Sequence, residues 1–368
     1  MERKSFTCRL AGPVLCAVIL LMASCTDDMD QPRLSDRILF TSEIQNAWSS
    51  SAASGAAKSR SSVSVMQAEG ISPLYLHTLC ADSIKMVSLS DTLPATRFTP
   101  VNQNNMYDTF GVFAYAYTTS WDSTQSPNYM YDVSVSRTGK SWMPSSAHYW
   151  PGSAYKMKFF AYAPKGVAAY QLSEQDAGVP AITCMVPESV ADQHDLLVAA
   201  SDEVSGNSGS AVNLTFRHAL TAVRFVCGRD MKAGTVKSVA LKGVNSTGTY
   251  SLGSDSWSRI GSPKDFVQTL NKTADGTDSQ EITAGAQTFM MIPQTLPDDA
   301  FIEVVFNDGK ADHTLTSSLK GTSWPMGKTI TYKISTTSIN WEYTLSVLPP
   351  GTYSFKGGSS AYSITSYR

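Results

Sequence analysis

The amino-acid sequence predicts an all-β fold: two tandem antiparallel β-sandwich domains followed by a C-terminal β tail. Short apolar or alternating runs rich in Val, Ile, Tyr, Phe and Thr recur from residue 71 onward. Gly, Pro, Asn and Asp separate these runs, and no stretch keeps a 3.6-residue apolar period over three helical turns. The predicted strands are residues 109–117, 130–136, 156–162, 211–216, 221–227, 236–241, 288–292, 301–306, 313–319 and 329–334.

The N-terminus has the parts of a lipoprotein export signal. Arg3, Lys4 and Arg9 form a basic start, and the apolar run over residues 10–23 is too short to span a bilayer, which needs about 20 residues. Two small residues precede Cys25, as in a bacterial lipobox. The alternative is an ordinary secretory signal with an incidental cysteine. We expect residues 1–24 to be removed and Cys25 to carry lipid that holds the protein on a membrane.

The segment after Cys25 predicts a removable first strand. Residues 25–37 are polar and suit a tether, and residues 37–41 form a short apolar strand. Residues 49–64 are almost entirely Ser, Ala, Gly, Lys and Arg, a composition that buries too little apolar surface to be ordered. Lys58 and Arg60 lie in this loop, where we expect a protease to reach the backbone.

The remaining chain is long enough for two domains of about 100–200 residues each. The Gly- and Ser-rich residues 205–210 are the predicted boundary between domains at 38–205 and 206–336. Residues 307–309, Asn-Asp-Gly, predict a hairpin turn in the second domain. In the tail, residues 337–368, apolar side chains alternate with polar ones at Trp341, Tyr343, Leu345 and Val347. Because two or three strands are not stable alone, this tail pairs with another body or begins a further domain.

Composition argues against nucleic acid as a partner. Charged residues make up 16% of the chain, the net charge is -2, and Lys and Arg form no run that could neutralise phosphates. Outside the signal and Cys25, the cysteines are Cys80, Cys184 and Cys227. Their wide spacing matches no zinc or redox motif, so buried apolar thiols are expected, with one disulfide as the alternative.

We found no motif that predicts an enzyme, a cofactor or a metal site. Residues 321–329 have five residues between glycines where a phosphate loop has four, which favours a turn before a strand. Residues 192–195 place a His among carboxylates, and a solvated loop is the expected interpretation. His218 lies between apolar neighbours and is expected to be a hydrogen-bonded structural residue. Aromatic residues, 10% of the chain, either fill cores or line a sugar-binding face.

Several segments resemble the fimbrillin family of Bacteroidetes, the lipoprotein pilins of type V pili. Phe216, His218 and Leu220 match the recurring Phe-x-His-x-Leu segment of that family. Residues 159–164, 195–199, 289–295 and 327–332 also resemble family segments in the same order. The acidic residues 27–30 resemble the signal that sends Bacteroidetes lipoproteins to the cell surface.

The resemblance implies two sandwiches of the transthyretin or immunoglobulin kind, carried to the outer membrane as a lipoprotein. It further implies that a trypsin-like protease removes the first strand and that a strand from a neighbouring subunit fills the groove. The protein would then be a pilus subunit or a tip adhesin, anchored to outer-membrane lipid through Cys25, with pilin subunits and surface ligands as partners. The alternative is a surface lipoprotein that binds a glycan or host ligand and does not polymerise.

Overall fold

The computed structural model describes residues 36–45, 62–81, 101–338 apart from 140, 229–230, 278–279 and 284, and 351–366 apart from 358–359. These residues are arranged almost entirely in β-strands and loops. They also contain two 3-10 helices, Val190–Asp192 and Gly285–Gln287. Within these ranges, no helix is both long enough and apolar enough to cross a membrane. The all-β prediction is therefore confirmed.

The strands are numbered in chain order. Those of the first half are β1 (Phe40–Ile44), β2 (Ser62–Met66), β3 (Leu74–Ala81), β4 (Thr109–Tyr117), β5 (Met130–Thr138), β6 (Ser141–Pro144), β7 (Lys156–Ala163), β8 (Tyr170–Leu172), β9 (Ala181–Met185), β10 (Leu197–Ala200), β11 (Val204–Ser205) and β12 (Val212–His218). Those of the second half are β13 (Thr221–Cys227), β14 (Gly234–Ser251), β15 (Ser256–Ala274), β16 (Gln280–Glu281), β17 (Phe289–Met291), β18 (Gln294–Thr295), β19 (Phe301–Asn307), β20 (Asp312–Ser318), β21 (Ser323–Trp324), β22 (Thr329–Ser335), β23 (Gly351–Gly357) and β24 (Ser360–Ser366).

Each predicted run lies on a strand. Most boundaries agree within two residues, whereas β14 extends well beyond its predicted core at residues 236–241. The first strand begins three residues later than predicted, at Phe40. Strand β2 begins at Ser62, inside residues 49–64, which were expected to form an unordered loop. Other strands were not predicted because their segments are short, rich in Ser and Thr, or lack a clear alternation of apolar residues, namely β3, β6, β8, β9, β10, β11, β15, β16, β18 and β21.

The first structural unit is a closed barrel, which corrects the prediction of a sandwich. Its strands follow the order β10-β12-β1-β6-β5-β4-β7, and β7 pairs again with β10 to close the sheet, while β11 continues on the edge of β7. A strand such as β10 that pairs on both sides leaves no open edge between them. The barrel has its own hydrophobic core, which includes the fully buried Phe110, Phe159 and Phe216. Its pairing is antiparallel except between β1 and β12.

The second unit is a sandwich of two sheets. One sheet has the order β16-β13-β22-β3-β2, with β17 on β13, and the other has the order β20-β19-β14-β9-β8, with β15 on β14. Phe225 and Tyr332 from the first sheet and Val304 from the second belong to one hydrophobic core. Outward-facing barrel residues, among them Phe160 and Tyr162, belong to the same core, so the barrel packs directly on the sandwich.

The two units share the chain in an interleaved way. Strands β2, β3, β8 and β9 precede residue 205 but lie in the sandwich, whereas β12 follows residue 210 and completes the barrel. The predicted boundary at residues 205–210 therefore does not separate the strands of one unit from those of the other. Because β1 pairs with β12 in parallel, a long crossover must join them, and the sandwich strands β2, β3, β8 and β9 lie on that crossover.

The hairpin predicted at residues 307–309 joins β19 to β20 and is confirmed. Asn307 and Asp312 are partners at its end, and Gly309 adopts a φ of 87°, which favours glycine. The side-chain Oδ1 of Asn307 accepts a hydrogen bond of 2.9 Å from the amide of Gly309. In the tail, β23 and β24 pair with each other as an antiparallel hairpin.

Candidate functional site: the first strand in the barrel wall

Strand β1 lies in the barrel wall and is held along its full length by β12. The two strands are parallel, with five residue pairs from Phe40 opposite Val212 to Ile44 opposite Phe216. Hydrogen bonds extend this pairing past both ends of β1, since the amide of Val212 donates to the carbonyl of Leu39 at 2.8 Å and that of Gln45 to Phe216 at 3.0 Å. The early strand predicted from sequence is thus one of the strands that form the barrel sheet.

The inward side chains of the β1 segment fill the barrel interior. Ile38 and Phe40 are fully buried, and Ile44 is 5% exposed. The ring of Phe40 packs edge-on against Phe159, at 5.6 Å between centroids, and against Phe110, at 6.2 Å. Removing this segment would uncover aromatic side chains that water reaches poorly in the intact barrel.

The opposite side of β1 is held unevenly. Before the strand, Arg37 pairs with Tyr149, and the amide of Ile38 donates to the carbonyl of His148 at 2.8 Å. Within β1, only Phe40 has a partner on β6, Trp142. Past that pair, the side chain of Gln103 contacts the backbone of Ser42 and Ile44.

The residues predicted to carry lipid, proteolysis and strand donation lie outside the described residues. This applies to Cys25, to Lys58 and Arg60 in the loop that follows β1, and to the alternating residues of the tail, Trp341, Tyr343, Leu345 and Val347. The described strands on either side of that loop lie in different units, β1 in the barrel and β2 in the sandwich.

His218, at the end of β12, is buried and hydrogen-bonded, as predicted. Its ring Nδ1 lies 2.7 Å from Oδ2 of Asp195, and the side chains of both residues are at most 2% exposed. The same carboxylate oxygen accepts a bond of 3.2 Å from the amide of Val101. The hydroxyl of Tyr107 donates to the Asp195 carbonyl at 3.0 Å, and burial together with the nearby carboxylate raises the pKa of Tyr107. The cluster ties together the starts of β4 and β10 and the end of β12.

The prediction of a solvated loop at residues 192–195 is therefore wrong for half of that loop. Gln193 and Asp195 are each only 2% exposed, because Asp195 pairs with a histidine 23 positions later in the chain. Gln193 donates its side-chain amide to the carbonyl of Pro187 and accepts from the amide of Met290. A contact between distant segments of this kind leaves no local signal in the sequence.

The described residues contain no group of three His, Cys, Asp or Glu side chains placed to hold a metal ion. Cys184 and Cys227 are buried thiols outside any disulfide, as predicted, whereas Cys80 is only half-buried. Burial raises the pKa of the Cys184 thiol to about 12 and that of Cys227 to about 11, so neither is a ready nucleophile. The best-defined feature with functional potential is thus the β1 strand and the groove that it fills.

Comparisons with known proteins point in one direction. A sequence model described as fimbrillin-like matches residues 96–348. The fimbrium subunit Fim1C of Phocaeicola vulgatus is 28% identical over 194 residues, which are 45% of this chain and 51% of that protein. The chain therefore spans about half the length of this curated relative.

Solved structures that match this chain in part include a fimbrial protein from Bacteroides vulgatus, at 20% identity and a TM-score of 0.46, covering 61% of this chain and 90% of that one. The fimbrial anchor protein Mfa2 from Porphyromonas gingivalis has 14% identity and a TM-score of 0.30, covering 61% of this chain and 76% of that one. The match to the family model alone spans well over half of the sequence, and the chain therefore belongs to the fimbrillin-like family.

Proposed function

We propose that this chain is a structural subunit of a type V fimbria, or its tip or adhesin component, and that it assembles by protease-triggered strand exchange. In this proposal Cys25 carries lipid to the outer membrane, and cleavage after Lys58 or Arg60 releases the segment that contains β1. A strand from another subunit then occupies the vacated place. Membership of the fimbrillin-like family supports the assignment to a fimbria.

The position of β1 is the observation that carries the proposal. The strand is short, yet it closes the barrel wall and fills the interior with Ile38, Phe40 and Ile44. Its loss would leave the edge of β12 unpaired beside an open core. Each buried backbone group without a partner costs about 1–3 kcal/mol, and burying one large apolar side chain contributes about 1.5–3 kcal/mol. An opened barrel would therefore bind a replacement strand strongly.

The tail supplies the donor strand in this proposal. Trp341, Tyr343, Leu345 and Val347 alternate with polar residues, so a strand formed there would present all four side chains on one face. A neighbour's tail could thus place a row of apolar side chains in the groove while its backbone pairs with β12. The partner is then a second copy of this chain or a related pilin.

The test uses soluble protein that begins at Thr26 and therefore lacks the signal and Cys25. Trypsin should yield a product that starts at Ser59 or Ser61 and forms ladders resistant to SDS, visible as fibres by electron microscopy. The double variant Lys58→Ala/Arg60→Ala should remain uncut at this loop and monomeric. Deletion of residues 341–368 should leave the protein cleaved but monomeric. A cleaved full-length chain that stays monomeric at high concentration would refute strand exchange and favour the surface-binding alternative.

A further inference from the structure

We propose that replacement of β1 begins at its carboxyl-terminal end, residues 42–44, where a glutamine side chain substitutes for a neighbouring strand. We further propose that the incoming strand, from a second copy of this chain, carries an apolar side chain at the position of Ser42. This inference rests on the strand exchange proposed above, and it specifies where exchange starts and what selects the donor.

The two ends of β1 are held differently. At the start of β1, Phe40 has backbone partners on both sides, Trp142 of β6 and Val212 of β12. Just before the strand, Arg37 pairs with Tyr149 and the amide of Ile38 donates to the carbonyl of His148. Strand β6 begins at Ser141, so its pairing with β1 stops near Thr41. From Ser42 to Ile44, the only backbone partner among the described residues is therefore β12. A strand end that is hydrogen-bonded to one neighbouring strand opens more readily than an end that is bonded to two.

Gln103 occupies the place where the second ladder would continue. Its Oε1 accepts a hydrogen bond of 2.7 Å from the amide of Ile44, and its Nε2 donates one of 3.3 Å to the carbonyl of Ser42. One side-chain amide thus bonds to the backbone on either side of Glu43, which is the pair of bonds that one residue of a parallel strand would make. The side chain is otherwise exposed, so a competing backbone can displace it.

The turn that carries Gln103 is held in place by its neighbours. Val101 and Met106, on either side of it, are buried in the barrel core. Within the turn, the side-chain oxygen of Asn102 accepts from the amide of Asn104 at 2.8 Å, and that of Asn105 accepts from the amide of Asn102. Gln103 is therefore presented to β1 by a fixed turn, and its two bonds need little ordering of the backbone around them.

Ser42 is a poor occupant of its site. It lies between the inward-facing Phe40 and Ile44 and pairs with Leu214, which is fully buried. Its hydroxyl is buried and has no hydrogen-bond partner among the described residues. A buried hydroxyl without a partner is destabilising, whereas an apolar side chain at the same register would gain from burial. The native strand is thus weakest at the end where Gln103 replaces the ladder.

The proposed cut and donor fit this order of events. Cleavage after Lys58 or Arg60 creates a new chain end on the carboxyl-terminal side of the strand, 14 or 16 residues after Ile44. An incoming strand would first pair with β12 near Phe216 and then advance toward Val212. Four inward sites two residues apart, at Ile38, Phe40, Ser42 and Ile44, match the spacing of Trp341, Tyr343, Leu345 and Val347. If the donor strand runs in the same direction as β1, the side chain of Leu345 occupies the position of Ser42.

Amide hydrogen exchange on the uncut chain tests the opening step directly. In Gln103→Ala, the amide of Gln45, which bonds to Phe216 and not to Gln103, should exchange about 5- to 30-fold faster. The amide of Ile38, at the other end, should be unchanged. Ser42→Ala should slow exchange at Gln45, because it removes the unpartnered hydroxyl. Asn104→Ala, in the same turn, and the outward-facing Glu43→Gln serve as matched controls. Equal acceleration at both amides, or none at Gln45, would overturn the proposal.

The rate of monomer loss after trypsin treatment tests the donor. Gln103→Ala should speed assembly and Ser42→Ala should slow it, each about 5- to 30-fold, because both act on β1 release. Leu345→Ser should slow assembly at least tenfold, whereas Thr344→Ala, on the other face of the donor, should not. If wild-type protein does not assemble at all, the proposed function fails, and hydrogen exchange still decides the opening step. If it assembles at one rate in all variants, only this inference fails.

Discussion

Phe40 offers the sharpest test of how firmly the first strand belongs to the barrel. The side chain is fully buried, and its ring meets Phe159 and Phe110 edge-on at 5.6 and 6.2 Å. Those two rings lie on β7 and β4, which are fixed by pairing with each other, so the walls cannot collapse into a cavity left at position 40. Truncation of a fully buried Phe costs about 3–5 kcal/mol, and such a rigid site favours the upper part of that range.

We therefore expect Phe40→Ala to lower the free energy of unfolding of the barrel by about 4 kcal/mol. Urea unfolding followed by tryptophan fluorescence measures it, because Trp142 packs against Phe110 at 5.0 Å and Trp150 against Phe159 at 6.4 Å. Thr41→Ala is the matched control, since Thr41 is exposed and its hydroxyl bonds only at the surface, to Oδ1 of Asn213. It should change stability by less than about 0.5 kcal/mol.

The same pair of variants distinguishes two results, each of which would refute a different part of this reasoning. If Phe40→Ala loses less than about 1 kcal/mol, then the strand does not occupy the barrel interior in solution and the groove argument is refuted. If the loss is large but the Thr41→Ala control loses as much, the effect comes from disturbing β1 in general, and the cavity reasoning is refuted instead.

Three further predictions concern other parts of the chain. Cys25→Ala should abolish labelling with radioactive palmitate and release the protein from membranes, and unchanged labelling would contradict the lipobox interpretation. His218→Ala should lower the free energy of unfolding by about 3–5 kcal/mol, because it leaves the Asp195 carboxylate buried without its histidine, and His218→Ala/Asp195→Ala should lose less than the two single losses combined. Loss of a binding activity at unchanged stability would instead make His218 a site residue. Gly111→Ala should destabilise by about 1–3 kcal/mol, since a Cβ there would overlap the ring of Tyr162 and the carboxylate of Asp132, while Ala114→Gly on the same strand would leave that contact intact.

Local patterns in the sequence were sufficient to predict most strands but not their pairing. The alternation of β19 and the turn at Gly309 are local properties, and both were predicted. Closure of the barrel depends on β10, a four-residue strand that meets two partners distant in the chain, and nothing within residues 197–200 encodes that choice. The prediction of a sandwich for the first unit failed for this reason.

The residues of the candidate site likewise fall into two groups, those that the sequence predicted and those that it did not. The apolar first strand near Phe40 and the Phe-x-His-x-Leu segment around His218 were visible in the sequence. Asp195 was assigned to solvent because its partner lies far along the chain, and Gln103 was missed because an isolated polar residue in a turn has no distinctive pattern. Their roles depend on tertiary contacts.

The interleaving of barrel and sandwich has a mechanical consequence. Between β1 and β13, the described strands pass from one unit to the other five times, and the loop after β1 is only one of those passages. A cut in that loop would leave four segments of the chain that connect the two units covalently. Tension applied along a fibre would then be divided among several peptide connections that act side by side. If the first strand is released as proposed, the two units would still be held together by these four connections.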